Sequence, residues 1–361
     1  MTKLESAFPE IDGIFTKFVS DRHIPGMIWG VVIDGRLAHV KATGVSTRVG
    51  DLPVTADTVF RIASMTKSFT SLAVLKLRDE GKLSLDDPAE RYVPELRGLK
   101  YPTDDSPRIT IRHLLSHAEG FPEDNPWGDR RLADPDEQLS AMMRGGIPFS
   151  NAPGMAYEYS NYGFAILGRI VSRVSGRPYG DYVAANILKP LGMVSTTLHP
   201  SAVPPDRLAH GYRWEDEQWK EERLLADGSF GAMGGILTSV PGSRQICRGA
   251  DVGLASTRRP GDGADSPLIH ARDAADLSTA GGHGDQGAGV RRNPAQPGRL
   301  RVWFACVSNV QPQPRRVPRR RAAGLRVVHA LAAGAWCRHR HAGQRDLHGL
   351  GWRRWRGVRP S

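Results

Sequence analysis

Cysteine is absent from residues 1–240 of this 361-residue chain; Cys247, Cys306 and Cys337 all fall in the last third. Three cysteines without pairing spacing make neither a disulfide framework nor a zinc site. No run of about 18 apolar residues occurs, so no membrane-spanning helix is expected. The opening residues, Met1-Thr2-Lys3-Leu4-Glu5-Ser6, include an acid and no apolar stretch. They predict a chain without a secretory signal, resident in the cytoplasm. Also missing are Gly-x-Ser-x-Gly, a Walker loop and His-Glu-x-x-His. Their absence argues against an α/β-hydrolase elbow, a nucleotide-binding loop and a zinc protease.

A second set of absences divides the chain. From Pro241 to Ser361 there is no Lys, Glu, Tyr or Met, while 22 Arg face 7 Asp, a net of +15. Residues 1–240 carry 27 basic and 31 acidic side chains, a net of −4, so the overall +11 lies wholly in the tail. A basic surplus usually points to nucleic acid. Here the Arg clusters at Arg315-Arg316 and Arg319-Arg320-Arg321 alternate with Ala, Gly and Pro. Periodicity persists only in a candidate strand from Leu300 to Val307. Two readings compete: a basic nucleic-acid-binding tail, or out-of-frame translation of GC-rich DNA, whose codons favour Arg, Ala, Gly and Pro.

What is present is organised around Phe60-Arg61-Ile62-Ala63-Ser64-Met65-Thr66-Lys67-Ser68-Phe69. β-branched and aromatic residues run into a helical pattern with Phe69, Leu72, Ala73 and Leu77 inward, stopping near Gly81. Ser64 therefore sits where an extended segment enters a helix. Lys67, three residues on, shares its face. A hydroxyl there meets an amine, free N–H groups and the positive end of the helix dipole. That environment suits a nucleophile whose product is an oxyanion.

Around this stretch, residues 4–20 predict an amphipathic helix with Leu4, Phe8, Ile11, Phe15, Phe18 and Val19 inward. Met27–Ile33 and Leu37–Thr43 predict a hairpin about Asp34-Gly35. Thr110 caps a short helix carrying His113 and His117. Those two histidines have i, i+4 spacing, but no third ligand stands nearby, so packing or capping is the better reading and no metal is expected. Further helices are expected over 137–144, 163–174 and 179–188. Just before the second of these stands Tyr159-Ser160-Asn161. A tyrosine near a lysine can serve as a general base. An asparagine two residues on can hold a substrate amide or carbonyl.

Together these segments resemble the serine β-lactamase-like superfamily: class C β-lactamases, D-Ala-D-Ala carboxypeptidases and family VIII carboxylesterases. The resemblance covers residues 10–240. It rests on Phe60–Lys67, Gly81-Lys82-Leu83-Ser84-Leu85-Asp86-Asp87-Pro88, Ile111–His117, Tyr159-Ser160-Asn161 and Gly234-Gly235-Ile236. It implies an α+β fold, an antiparallel sheet flanked by helices plus a mostly helical region. Residues 1–69 and 226–240 would belong to the α/β part, 70–225 to the helical part, and 241–361 to an irregular tail.

The same resemblance implies a cofactor-free hydrolase working through an acyl-enzyme. Ser64 would be the nucleophile, Lys67 would help deprotonate it, Tyr159 would act as base and then acid, and Asn161 would place the substrate. The Ser64 backbone N–H would give one oxyanion donor. The second donor belongs to a strand that cannot be placed; His341-Ala342-Gly343 and Gly281-Gly282-His283-Gly284 match it only by chance. Within the class the cytoplasmic expectation favours short-chain esters. A β-lactamase or carboxypeptidase, an inactive frame product and a nucleic-acid binder are the alternatives. The expected partner is a small ester or amide, with no nucleic acid and no membrane; oligomeric state is not legible.

The frame reading makes a prediction. With permissible codons, Pro241–Ala250 read one base later gives P-D-L-A-R-Y-V-A-A-L, an amphipathic helix. Val317–Leu325 in the same frame gives V-S-H-G-G-G-L-P-G, with a glycine-rich element where the missing strand belongs. Sequencing the coding DNA across residues 235–250 should show this open frame; stop codons in it would refute the reading.

Overall fold

The computed structural model describes residues 5–33, 36–124, 128–243 and, as backbone, 300–306. The expected Asp34-Gly35 turn and the rest of the tail lie outside the described residues. In chain order the elements are α1 (Phe8–Asp21), β1 (Gly26–Ile33), β2 (Arg36–Thr47), β3 (Leu52–Pro53), β4 (Phe60–Arg61), α2 (Thr66–Asp79), α3 (Ile111–Leu115), α4 (Asp136–Arg144), α5 (Asn161–Ser175), α6 (Tyr179–Val183), β5 (Gly211–Glu215), β6 (Gln218–Glu222), α7 (Gly231–Gly234), β7 (Leu237–Thr238) and β8 (Leu300–Cys306).

The apolar run at 26–33 has no polar alternation because both of its faces are covered. Met27, Trp29 and Val31 pack under α1 with Ile11, Phe8, Phe15, Phe18 and Val19. Ile28, one pleat over, packs with Val54, Phe60, Tyr212 and Val240. Asp12 fastens α1 to the sheet, accepting from Trp29 Nε1 and His39 Nε2, both at 2.8 Å. β1 is central in an antiparallel sheet ordered β3-β2-β1-β8. The strand expected from Leu300 is therefore present as β8, with Ile33 opposite Leu300 and Met27 opposite Cys306.

The helical core is built on α2 and α5. α2 buries Phe69, Leu72, Ala73 and Leu77 as its pattern predicts, and also Thr66, Lys67, Thr70 and Ser71. Its other side is thus not solvated but faces α5 and the segment around α7. Several expected elements differ in detail, and α3 ends at Leu115, which leaves His117 beyond it. α5 begins at Asn161 rather than Gly163, because Ser160 Oγ accepts from Gly163 N–H at 2.9 Å and the Asp124 carboxylate accepts from Asn161 and Tyr162 N–H at 2.8 and 2.6 Å. Asp124 is a cap supplied from 37 residues away, invisible to a local pattern. The helix expected over 179–188 gives way to a π-turn at Ala184–Leu188. Ser64 lies not in the α-helix but in a 3-10 turn, Ala63–Met65, that leads into it.

The last turn of α5 is tied to the Pro94–Gly98 turn by a fork: Arg173 Nη1 and Nη2 donate to Glu95 Oε2 and Oε1 at 2.8 and 2.6 Å. Hydrogen bonds from Arg173 hold the Glu95 carboxyl down at about 2, against an opposing effect of burial. A folded-state value below the ordinary 4.5 stabilises the fold above that pH and is lost as pH falls toward 2. Urea midpoints should therefore drop between about pH 5 and pH 2.5, and Glu95→Gln should flatten that part of the curve. An unchanged acid limb in the variant would count against the fork as a stabilising pair.

Candidate active site

Ser64 is half-buried, at the junction of β4 and α2. The residue before it, Ala63, has φ +45°, a left-handed backbone that costs an alanine about 1–2 kcal/mol. This bend turns the chain out of β4 and sets the serine at the mouth of the helix. From there Ser64 Oγ lies 2.6 Å from Tyr159 Oη and accepts from Lys67 Nζ at 3.1 Å.

Lys67 is 2% exposed. Burying an ammonium is costly unless its protons are matched. Its three donors meet Ser64 Oγ, Asn161 Oδ1 at 2.7 Å and the Met233 carbonyl at 2.8 Å. The ammonium also lies 4.9 Å from the centre of the Tyr159 ring and 5.5 Å from that of Phe164. So the structure brings Ser64, Lys67, Tyr159 and Asn161 into one cluster, drawn from the 3-10 turn at Ala63–Met65, from the first turn of α2, from the residue before the α5 cap, and from the first turn of α5.

The surrounding backbone is fixed by hydrogen bonds that sequence reasoning did not find. Thr66 Oγ1 accepts from Ile236 N–H at 3.1 Å, and Thr70 Oγ1 donates to the Ala232 carbonyl at 2.6 Å while meeting Tyr179 Oη at 2.7 Å. Arg61 donates to the carbonyls of Leu225 at 2.5 Å and Gly235 at 3.4 Å, bracketing the segment that presents the Met233 oxygen. Burial lowers Arg61 to about 10, partly opposed by the charge of Asp227, and burial pushes Asp227 up to about 6. A main-chain acceptor such as Met233 O leaves no mark on the sequence. The Gly234-Gly235-Ile236 motif beside it was the only available signal.

The two histidines take a capping and a packing place. His113 Nδ1 accepts from Thr110 N–H while Thr110 Oγ1 accepts from His113 N–H, a reciprocal cap on α3. His117 is buried against Tyr159. Glu119, fully buried nearby, is pushed up to about 8 by burial, which leaves it neutral at ordinary pH. The second oxyanion donor is not placed by the sequence, and the chance matches at His341 and His283 lie outside the described residues.

Comparisons with known proteins show the family. The family model described as Beta-lactamase matches residues 11–325. Beta-lactamase-like protein 2 of Dictyostelium discoideum is 36% identical over 258 residues, covering 68% of this chain and 45% of that protein. Esterase EstB of Burkholderia gladioli is 34% identical over 197 residues, covering 51% of this chain and 49% of its own length. A crystal structure of a class C beta lactamase superposes with a TM-score of 0.58 at 25% identity, covering 70% of this chain and 66% of that one. The chain spans about half the length of these two curated relatives.

The strained turn at Ala63 carries its own test. Ala63→Gly should raise stability by about 1 kcal/mol, because glycine adopts positive φ without the Cβ clash. A denaturant melt in which the variant is less stable would show that the turn is not under that strain.

Proposed function

The chain belongs to the beta-lactamase family, and from that premise we propose that it is a serine hydrolase acting through a Ser64 ester, with short-chain carboxylic esters as its substrates. The observation that carries the reading is the sharing of one oxygen: Ser64 Oγ is held between Tyr159 Oη at 2.6 Å and Lys67 Nζ at 3.1 Å. With all three Lys67 donors matched, the ammonium is a fixed donor and not a ready base. The proton acceptor in this arrangement is Tyr159, and the Lys67 cation next to its ring favours negative charge on the phenol oxygen.

The steps follow. Ser64 Oγ attacks the ester carbonyl carbon as its proton passes to the Tyr159 phenolate. The tetrahedral oxyanion collapses, the C–O bond to the alcohol breaks, and Tyr159 returns the proton to the leaving alkoxide. Water then adds to the acyl-enzyme, giving its proton to Tyr159. Collapse releases the acid and restores the Ser64 hydroxyl with that proton. Asn161 is buried and accepts from Lys67 through Oδ1; placing the substrate is the role that the family resemblance gives it.

The ester preference draws support from the likeness to an esterase of Burkholderia gladioli. It is tested by comparing a short-chain p-nitrophenyl ester with a chromogenic cephalosporin. Ester turnover is expected. Turnover of the cephalosporin alone would replace the esterase reading with a β-lactamase one. A fluorophosphonate probe should label Ser64 and fail on Ser64→Ala. Tyr159→Phe should lower kcat by about 10²–10⁴-fold. Should the chain as written resist labelling while the one-base-shifted tail restores it, the defect lies in residues 241–361 and not in the cluster.

A further inference from the structure

His117 has no part in the steps above, yet it touches three consecutive residues of the reacting segment. Its carbonyl accepts from Glu158 N–H at 2.8 Å, and its ring Nδ1 accepts from Ser160 N–H at 3.1 Å. Between those two bonds its ring stacks on Tyr159, centroids 4.7 Å apart and planes 29° apart. The imidazole is itself wedged by Tyr157 and Phe164 at 5.5 and 5.0 Å. We propose that His117 is a positioning residue which grips the backbone on both sides of Tyr159 and fixes the plane of its phenol, so that Oη stays within hydrogen-bond reach of Ser64 Oγ.

Three features favour this over simple core filling. First, the residue is bought at a local cost: His117 adopts φ +55°, uncommon for a non-glycine. Second, since Nδ1 is the acceptor, the ring proton sits on Nε2, and that buried N–H has no hydrogen-bond partner among the described residues. An unpaired buried donor costs about 1–3 kcal/mol. An apolar filler would share the backbone cost but avoid the unpaired donor, and it would leave the Ser160 N–H without this acceptor, so packing alone gives no reason for an imidazole here. Third, the ring is kept uncharged: burial, aided by the Lys67 cation, lowers it to about 3. The acceptor at Nδ1 is therefore kept at neutral pH. Tyr159 precedes the α5 cap and has no helix of its own to orient it; the bonds that Glu158 and Ser160 N–H donate to His117 take the place of a neighbouring strand.

The inference rests on Tyr159 acting as the base, and its test uses two isopolar variants. Asparagine Oδ1 overlays histidine Nδ1, and asparagine tolerates positive φ well; glutamine Oε1 reaches instead toward Nε2. With p-nitrophenyl ester, His117→Asn should keep kcat within about fivefold of the native chain. His117→Gln should lose about tenfold to a hundredfold, with KM within about twofold, since an error of about 1 Å in a reacting group costs up to about 10² in rate. Equal kcat in Gln and native protein would overturn the proposal, as would a loss in Gln confined to KM. Should the native chain turn over no ester, the hydrolase reading fails separately. The positioning claim is then decided by the ¹⁵N imidazole spectrum of the full chain. An unprotonated Nδ1 and protonated Nε2 are expected across about pH 5–9, and a protonated Nδ1 would refute the grip.

Discussion

A positive charge buried in the middle of the protein constrains everything near it. Lys67 must place three N–H bonds on three acceptors, and it finds them on residues 64, 161 and 233. Those acceptors come from three separate parts of the chain. Satisfying them fixes where the start of α2, the start of α5 and the segment around α7 stand relative to one another. The short contact between Ser64 and Tyr159 is a consequence of that placement. Any arrangement that separated the three segments would strand an ammonium among apolar side chains such as Phe164.

The second layer around the cluster is made largely of main-chain bonds from polar side chains. Asp124 and Ser160 hold the first amides of α5, Thr66 and Thr70 hold the segment at 232–236, and Arg61 brackets it from behind. Charges that could compete with Lys67 are muted. His117 and Glu119 are uncharged through burial, for opposite reasons of sign: the imidazole loses its proton and the carboxyl keeps it. The buried Asp124 acid, which interacts electrostatically with Lys67, remains beside the cation.

The sheet has a different dependence. Its central strand β1 is buried on both faces and paired on both edges, and one of those edges is supplied by β8 from the arginine-rich tail. The single patterned stretch of that tail is where the sheet gains its fourth strand. This joins the two compositional halves of the chain, and the family match likewise runs past Pro241 to residue 325.

Much of the fold was legible because periodicity and caps act locally. Thr110 announces α3, Phe69, Leu72 and Leu77 mark the inner face of α2, and the unbroken apolar run at 27–33 marks a strand covered on both sides. Ser64 and Lys67 were legible together, since i and i+3 on a helix must share a face. Tyr159 and Asn161 were legible as a phenol and an amide suited to the chemistry, with roles implied by the resemblance, and nothing local to them shows that they lie beside Ser64. The rest needed the tertiary structure: the Met233 carbonyl, the cap from Asp124 and the grip of His117 on residues 158–160. Each is a contact between segments far apart in sequence, made through backbone atoms that every residue possesses. The chain by itself determined which side chains could do chemistry and which helices would carry them. Only packing decided which distant backbone groups would meet a buried charge, because that choice depends on how the segments pack in three dimensions and not on their local spacing.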